Sequence, residues 1–387
     1  MKITSLLRKK NILNVLLLFL PLSVFIDNLC LILILVIAFI EGIKGRQIKY
    51  KPLLYSLPFM LYIMLRSLSE GYFFDDLKFF KLILPLILIP FSFQIFSKTN
   101  FINACQFLCL GIVIMQLIST YGIIDYYLLT EGKKVALRNY GKINEILRFE
   151  RPYLGFFSAV NIILGYYFFK MHKKGYYIIS VFLSVCIIFL ISARMGLLIV
   201  IVSFGVVFYN ELKGIKTKMM TLISFLFAIS LLFYFSDLPI KHRFQMIKYD
   251  PRLIIWSGGL EQLQSTKDYF MGTGSQKLIE VDLLNFYKTE AEFEYLPDKN
   301  RFIDKNYNLH NQYLNELVRG GIIGVILFIY PFTLFLLRSI KEKNLLQVLL
   351  LVSILLFLLV ENLLERQVGV YSIALFLTFA IYRNDEN

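Results

Sequence analysis

The chain has 387 residues, 57% of them hydrophobic, and a mean hydropathy of +0.65. That is well above the apolar share of soluble domains and excludes an ordinary water-soluble enzyme. The net charge of +14 comes from basic residues gathered at the ends of apolar runs, which is the pattern of anchoring at an anionic leaflet, so no nucleic-acid partner is expected.

Many of the apolar runs reach the ~18–20 residues that cross a bilayer. They predict an all-α polytopic membrane protein of about twelve spans: 12–26, 28–42, 52–68, 80–97, 101–120, 152–170, 175–192, 194–210, 219–236, 311–337, 345–361 and 368–383. The expected organisation is one integral membrane domain. Residues 1–236 hold spans one to nine, 237–309 form a large external loop with amphipathic helices, and 310–387 hold spans ten to twelve.

The basic start at Arg8, Lys9 and Lys10 leads into apolar sequence without a small-x-small cleavage pattern, so 12–26 is expected to remain as a span. Pro21 and Asp27-Asn28 interrupt the run 12–41, and basic clusters on both sides predict a tight hairpin. Asp27 and the pair Asp75-Asp76 face outward and are candidates for a general base or a metal ligand. The four cysteines, Cys30, Cys105, Cys109 and Cys186, lie in apolar runs and read as packing residues, because no spacing resembles a zinc site or a disulfide framework. Charge bias in the short connections then puts both termini in the cytoplasm and the segments 121–151 and 237–309 outside.

Ser192-Ala193-Arg194-Met195-Gly196 splits the long run 175–210. A guanidinium at that membrane boundary either snorkels to cap a helix turn or serves a function. Within the polar stretch 237–309, acids and bases are nearly balanced, as in a folded, solvated segment. Asp250-Pro251 is a good helix start, and Leu253, Ile254, Trp256, Leu260 and Leu263 form a helix-like stripe. Arg252 sits in its first turn. Met271-Gly272-Thr273-Gly274-Ser275 predicts a turn, followed by a second helix over about 276–290. Gly272-Thr273-Gly274 is too short to read as a phosphate loop. The alternating Glu290, Glu292 and Glu294 read as a solvated face.

Three histidines occur. His172 adjoins Lys173-Lys174 on the cytoplasmic side, and His242 lies between Lys241 and Arg243 outside. His310 stands where the polar stretch re-enters apolar sequence, a place where an imidazole can exchange a proton near neutral pH or can simply end a helix. Two guanidiniums and an imidazole on one membrane face suit a phosphorylated, lipid-borne substrate.

The ordered set is more specific than its parts. Ile191-Ser192-Ala193-Arg194-Met195-Gly196, Arg252 with Ile255-Trp256, the Gly272-x-Gly274 turn, His310-Asn311-Gln312-Tyr313-Leu314 with Gly320-Gly321-Ile322-Ile323-Gly324, and Glu361-Asn362-Leu363-Leu364-Glu365-Arg366-Gln367 resemble the O-antigen ligase and polymerase superfamily of bacterial membrane glycosyltransferases. Met195 departs from the small residue common there. The resemblance covers 185–375.

The resemblance implies an undecaprenyl-diphosphate-linked glycan donor and inverting, metal-independent transfer to a sugar hydroxyl on the periplasmic face of the inner membrane. It implies no cofactor. The acceptor is lipid A–core for a ligase and a second lipid-linked glycan for a polymerase; the ending tilts toward ligase. By the same resemblance, Arg194 and Arg252 bind the donor diphosphate, His310 is catalytic, and Asn311, Arg319 and Arg366 support. Two other classes fit the span count: a polysaccharide flippase or secondary transporter, and a metal-dependent glycosyltransferase using Asp27 or Asp75-Asp76. A transporter would more naturally show a pseudo-repeat of halves and a midplane polar site.

Overall fold

The computed structural model describes residues 9–45, 52–129, 143–212, 214, 251–293 and 296–381. Among them every regular element is helical: α1 Lys9–Phe19, α2 Val24–Ile43, α3 Leu53–Ser69, α4 Leu77–Ile83, α5 Pro85–Ser92, α6 Lys98–Leu129, α7 Ile143–Leu147, α8 Arg151–His172, α9 Gly175–Leu190, α10 Arg194–Glu211, α11 Pro251–Glu261, α12 Thr266–Met271, α13 Gln276–Thr289, α14 Leu296–Lys305, α15 Gln312–Lys341, α16 Leu345–Phe357 and α17 Gln367–Ile381. Among the described residues six stretches are long and apolar enough to cross a membrane: Val24–Ile43, Leu77–Ile95, Lys98–Tyr126, Arg151–His172, Arg194–Glu211 and Gln312–Lys341. Gly175–Leu190, Leu345–Phe357 and Gln367–Ile381 are shorter apolar helices. The expected span 219–236, the start of the external loop at 237–250, His242 and Glu294 lie outside the described residues.

The chain forms two compact units. Unit 1 comprises 1–61, 77–200 and 326–387. Its first hairpin turns at Leu20–Ser23 beside Pro21, so Asp27 falls inside α2 and not at the break. Prolines 85 and 90 segment the run 77–95 into α4, α5 and a short 3-10 turn. By contrast α6 runs on to Leu129, well into the segment expected to be a loop after residue 120, and its Ser119 hydroxyl donates to the Leu147 carbonyl at 2.9 Å. The backbone of α1 approaches α6 closely at Gly111, where a Cβ would fall 2.0 Å from the Leu18 carbonyl oxygen.

Unit 2 comprises 62–76 and 201–325. Its apolar core gathers Ile255, Ile279, Leu283, Phe286, Tyr287, Ala291, Phe302, Leu309 and Val318. Burial of each large side chain here contributes roughly 1.5–3 kcal/mol. Two short helices start with strong caps: Ser265 and Asp268 form a reciprocal capping box on α12, and Ser275 accepts from the amides of Lys277 and Leu278 on α13. The expected stripe on α11 holds in part. Ile254 and Trp256 pack against the core and Leu263 is buried, whereas Leu253 and Leu260 are exposed, and the inward face also carries Ile255, Gly258 and Gly259. Gly258 abuts the Phe286 ring and Gly259 abuts Leu309, and a Cβ at either would collide. Glycine carries no apolar side chain, so a stripe of large residues missed this part of the inward face.

Candidate functional site

The site is built on the turn that leads into α15. Leu309 is fully buried, and its carbonyl accepts from the indole Nε1 of Trp256 at 3.0 Å. His310 has a left-handed backbone (φ 46°), a conformation that histidine tolerates better than most side chains. Its amide donates to Asn308 Oδ1 at 3.1 Å. Its ring lies 5.9 Å from that of Tyr307, which is held in turn by Phe302, by Arg301 Nε on its hydroxyl (3.1 Å) and by the Tyr287 hydroxyl on its carbonyl (3.0 Å). Asn311 caps the new helix, its Oδ1 accepting from the Leu314 amide at 3.1 Å. His310 is therefore placed by its backbone, between a buried leucine and a helix cap, with the ring half-buried.

Arg252 comes to the same region of unit 2. It lies one helical turn before Trp256, on the same face of α11, and is half-buried. The indole that fixes Leu309 thus also sets the helix that carries Arg252.

Below the turn lies a buried ionic network that the residue-by-residue reading missed. Glu316 and Arg319, 0% and 2% exposed, form an ion pair one turn apart on α15. Gln312 Nε2 donates to Glu316 at 2.6 Å, while Asn315 and Arg319 both donate to Gln276 Oε1 on α13. Arg319, expected to support the site, lies inside this network. The signal available in the sequence was Glu316 three residues before Arg319 in otherwise apolar surroundings.

Helix α15 breaks at Gly321 (φ 62°, ψ −165°), and the break is filled by the Gly272-Thr273-Gly274 turn. The amides of Thr273 and Gly274 donate to the carbonyls of Val318 and Arg319 at 2.7 and 2.8 Å. These amides are consumed by protein carbonyls, in keeping with rejection of the turn as a phosphate loop. A Cβ on Gly272 would sit 2.3 Å from the Arg319 carbonyl carbon, and one on Gly321 would sit 2.2 Å from that of Phe270, so both positions need glycine for space as well as for φ. The carbonyls of the turn need donors too. Arg66 supplies Nε to Met271 and Nη2 to Gly272, each at 3.1 Å, and is tied to Glu70 at 2.8 Å. The Tyr62 hydroxyl donates to the Gly320 carbonyl at 2.8 Å. A lone arginine near the end of the apolar run 52–68 was the visible sign of this staple.

The acidic candidates separate. Asp76 is buried and accepts from Ser67 Oγ (2.6 Å) and from the amides of Gln276 and Lys277, so it caps α13. Asp75 is exposed. Asp27 is buried in unit 1, and neither of its carboxylate oxygens has a hydrogen-bond partner. Glu290 and Glu292 are exposed.

In unit 1, Arg194 is the first residue of α10 and is exposed. The preceding turn closes helix α9 with Ser192 in the left-handed region (φ 50°) and the Ala193 amide on the Ile188 carbonyl at 2.9 Å. Gly155 on α8 lets Ala193 and Gly196 press against its backbone, which fixes the turn that presents Arg194. Arg366, also exposed, pairs with Glu150 at 3.3 Å across the surface of unit 1.

These features define a helical membrane protein with a histidine turn braced by a buried ion pair. Residues 179–329 match the model of the Wzy_C family, described as O-antigen ligase. The match supports membership of the O-antigen ligase-like superfamily, whose members are membrane glycosyltransferases of the ligase and polymerase type. It takes in Arg194, Arg252, His310, Asn311 and Arg319, and stops short of Arg366. Comparison with curated proteins gives no match.

Proposed function

We propose that the protein is an O-antigen ligase, transferring a glycan from undecaprenyl diphosphate to a sugar hydroxyl of lipid A–core on the periplasmic face of the inner membrane. The observation that carries this reading is the family match over 179–329, which contains both arginines and the histidine. The common anchor of Arg252 and His310 at Trp256 and Leu309 supports it.

In the proposed reaction the acceptor hydroxyl attacks the anomeric carbon opposite the diphosphate. The bond from that carbon to the diphosphate oxygen breaks, with inversion. His310 takes the hydroxyl proton, a contribution worth ~10²–10⁴-fold for a well-positioned base. Arg194 and Arg252 bind the departing diphosphate through their planar forks and stabilise its charge as it develops. The two guanidiniums fill the role that a divalent ion fills elsewhere, so activity is expected to withstand chelation. Asn311 and Arg319 hold the histidine turn, and Arg366 supports from its own position in unit 1.

The accompanying topology has twelve spans, cytoplasmic termini and a periplasmic 237–309 segment. A reporter fused near Lys341 then reads cytoplasmic and one within 280–293 reads external; a cytoplasmic signal from the latter removes the mechanism. The function itself is tested by the lipopolysaccharide of a deletion strain. A complete core without polymer, together with accumulated lipid-linked polymer, is the expected result. A single repeat left on the core would make the protein a polymerase.

A further inference from the structure

Unit 1 contains a cavity of about 370 Å3 at the end of the bundle away from the Arg194 turn. Helix α9 separates the two ends, running from the Lys173-Lys174 turn to the Ser192 turn, about 24 Å at the helical rise. The cavity mouth carries three ammonium groups from three separate elements: Lys98 at the start of α6, Lys170 near the end of α8 and Lys343 in the turn before α16. Tyr166 and Tyr167 stand beside them. Among the described residues no carboxylate lines the space. The nearby Glu342 is engaged by Arg338 at 2.8 Å. Below the lysines the wall turns apolar, with Ile163, Leu349 and Phe379 forming the floor.

The walls are held in place independently of any ligand. Gln347 Nε2 donates to the Phe379 carbonyl at 2.7 Å and accepts at Oε1 from the Ser339 hydroxyl, which locks α16 against α17 and the end of α15. Gln106 and His172 join α6 to α8 at 3.2 Å. Two of the contributing helices, α6 and α8, are long and apolar enough to be spans, so their ends lie at the membrane boundary. Lysines and tyrosines over an apolar floor at that depth match the two parts of an amphiphile, an anionic head and an acyl chain. A small soluble anion would leave the floor unfilled.

We propose that this cavity binds the phosphate headgroup of an anionic membrane lipid, with the first acyl carbons on the Leu349–Phe379 floor. The site is distinct from the proposed transfer chemistry and rests only on the protein's being a membrane protein.

The test uses the full-length protein, purified and stripped of lipid, with phosphatidylglycerol retention read by native mass spectrometry and by the rise in Tm on adding the lipid. Wild type should retain one phosphatidylglycerol and gain Tm. The triple variant Lys98→Gln/Lys170→Gln/Lys343→Gln should bind it on the order of a hundredfold more weakly, since each basic group near a membrane contributes about 1 kcal/mol. Lys170 and Lys343 are exposed, so the double variant lacking only these two keeps the fold and should lose about thirtyfold by the same arithmetic. The charge-matched control Lys173→Gln/Lys174→Gln/Lys341→Gln removes basic groups that do not line the cavity and should bind as wild type does. Phosphatidylcholine should not be retained, and inorganic phosphate at the lipid's concentration should not displace the lipid. Equal weakening in the control, equal retention of phosphatidylcholine, or displacement by inorganic phosphate would each overturn the proposal.

Discussion

The two units bury polar groups in different ways. In unit 1, α6, α8 and α9 are joined by neutral side chains: Gln116 Nε2 donates to Ser158 and Ser184 at 2.9 and 2.8 Å, and Asn161 Nδ2 donates to Ser184 at 2.8 Å. Unit 2 buries ions instead, with Glu316 against Arg319, Asp76 on the α13 amides, and Arg66 on the carbonyls of the glycine turn. The difference follows from the backbone. Continuous helices satisfy their own amides and carbonyls, so interhelical contacts need only modest hydrogen bonds. Where a helix breaks at Gly321 and a turn fills the gap, carbonyls are freed that need strong donors, and a charged donor makes the stronger bond. Unit 1 also buries carboxyls, Glu361 and Asp27, and among the described residues the Asp27 carboxyl makes no hydrogen bond.

If unit 2 is a braced platform for one reacting side chain, its most sensitive position is His310. His310→Ala should lower transfer by ~10²–10⁴-fold while the membrane-inserted protein keeps its amount and most of its Tm, since Leu309, Asn308 and Asn311 hold the turn. Arg194→Lys and Arg252→Lys, one from each unit, should also largely abolish polymer display, because lysine keeps the charge and loses the fork. Near-normal display by both lysine variants would refute the diphosphate clamp.

The bracing itself is tested at Glu316. Glu316→Ala leaves the Arg319 guanidinium buried without its carboxylate, a change that typically costs 3–5 kcal/mol, roughly. Chemical denaturation followed by a probe in α13 should show that loss. Replacing both partners with apolar residues of similar volume should recover much of it. If Glu316→Ala unfolds no more readily than wild type, the contrast between the units fails. In unit 1 the matching change, Gln116→Leu, should cost only about 0.6–1.7 kcal/mol, the range for interhelical hydrogen bonds in membranes.

The same contrast explains what could be read from the sequence. The all-helical, membrane-spanning character and the Ser192–Arg194 break were legible because apolar runs and their interruptions are local signals. The staple at Arg66 showed in the sequence only as a lone arginine near the end of an apolar run; its partners are backbone carbonyls 205 and 206 residues further along, which carry no side-chain signature. Asp76 was noticed for its chemistry, yet its role is to cap a helix 200 residues away. The inner face of α11 was hidden because Gly258 and Gly259 make their contact through absent side chains.

The smallest expected effect lies at the rim of unit 2, where charges are solvated. Partial desolvation, the hydrogen bond shared with Glu290 and the repulsion between the two groups all push the Glu261 carboxyl above its usual 4.5. A carboxyl raised in the folded state binds its proton more tightly there than in the unfolded chain, so its contribution is fully present below the unfolded value. That contribution is lost as pH rises through the folded one. Glu261→Gln removes the ionisation and keeps a hydrogen-bonding group of the same shape. The variant should therefore match wild type in Tm near pH 4 and exceed it slightly near pH 7, with no change in polymer display. Glu290→Gln should shift Tm in the same direction, and the double variant should gain less than the sum, because either change alone already relieves the pair. A variant whose Tm advantage is the same at both pH values would show that the two carboxyls do not share a proton.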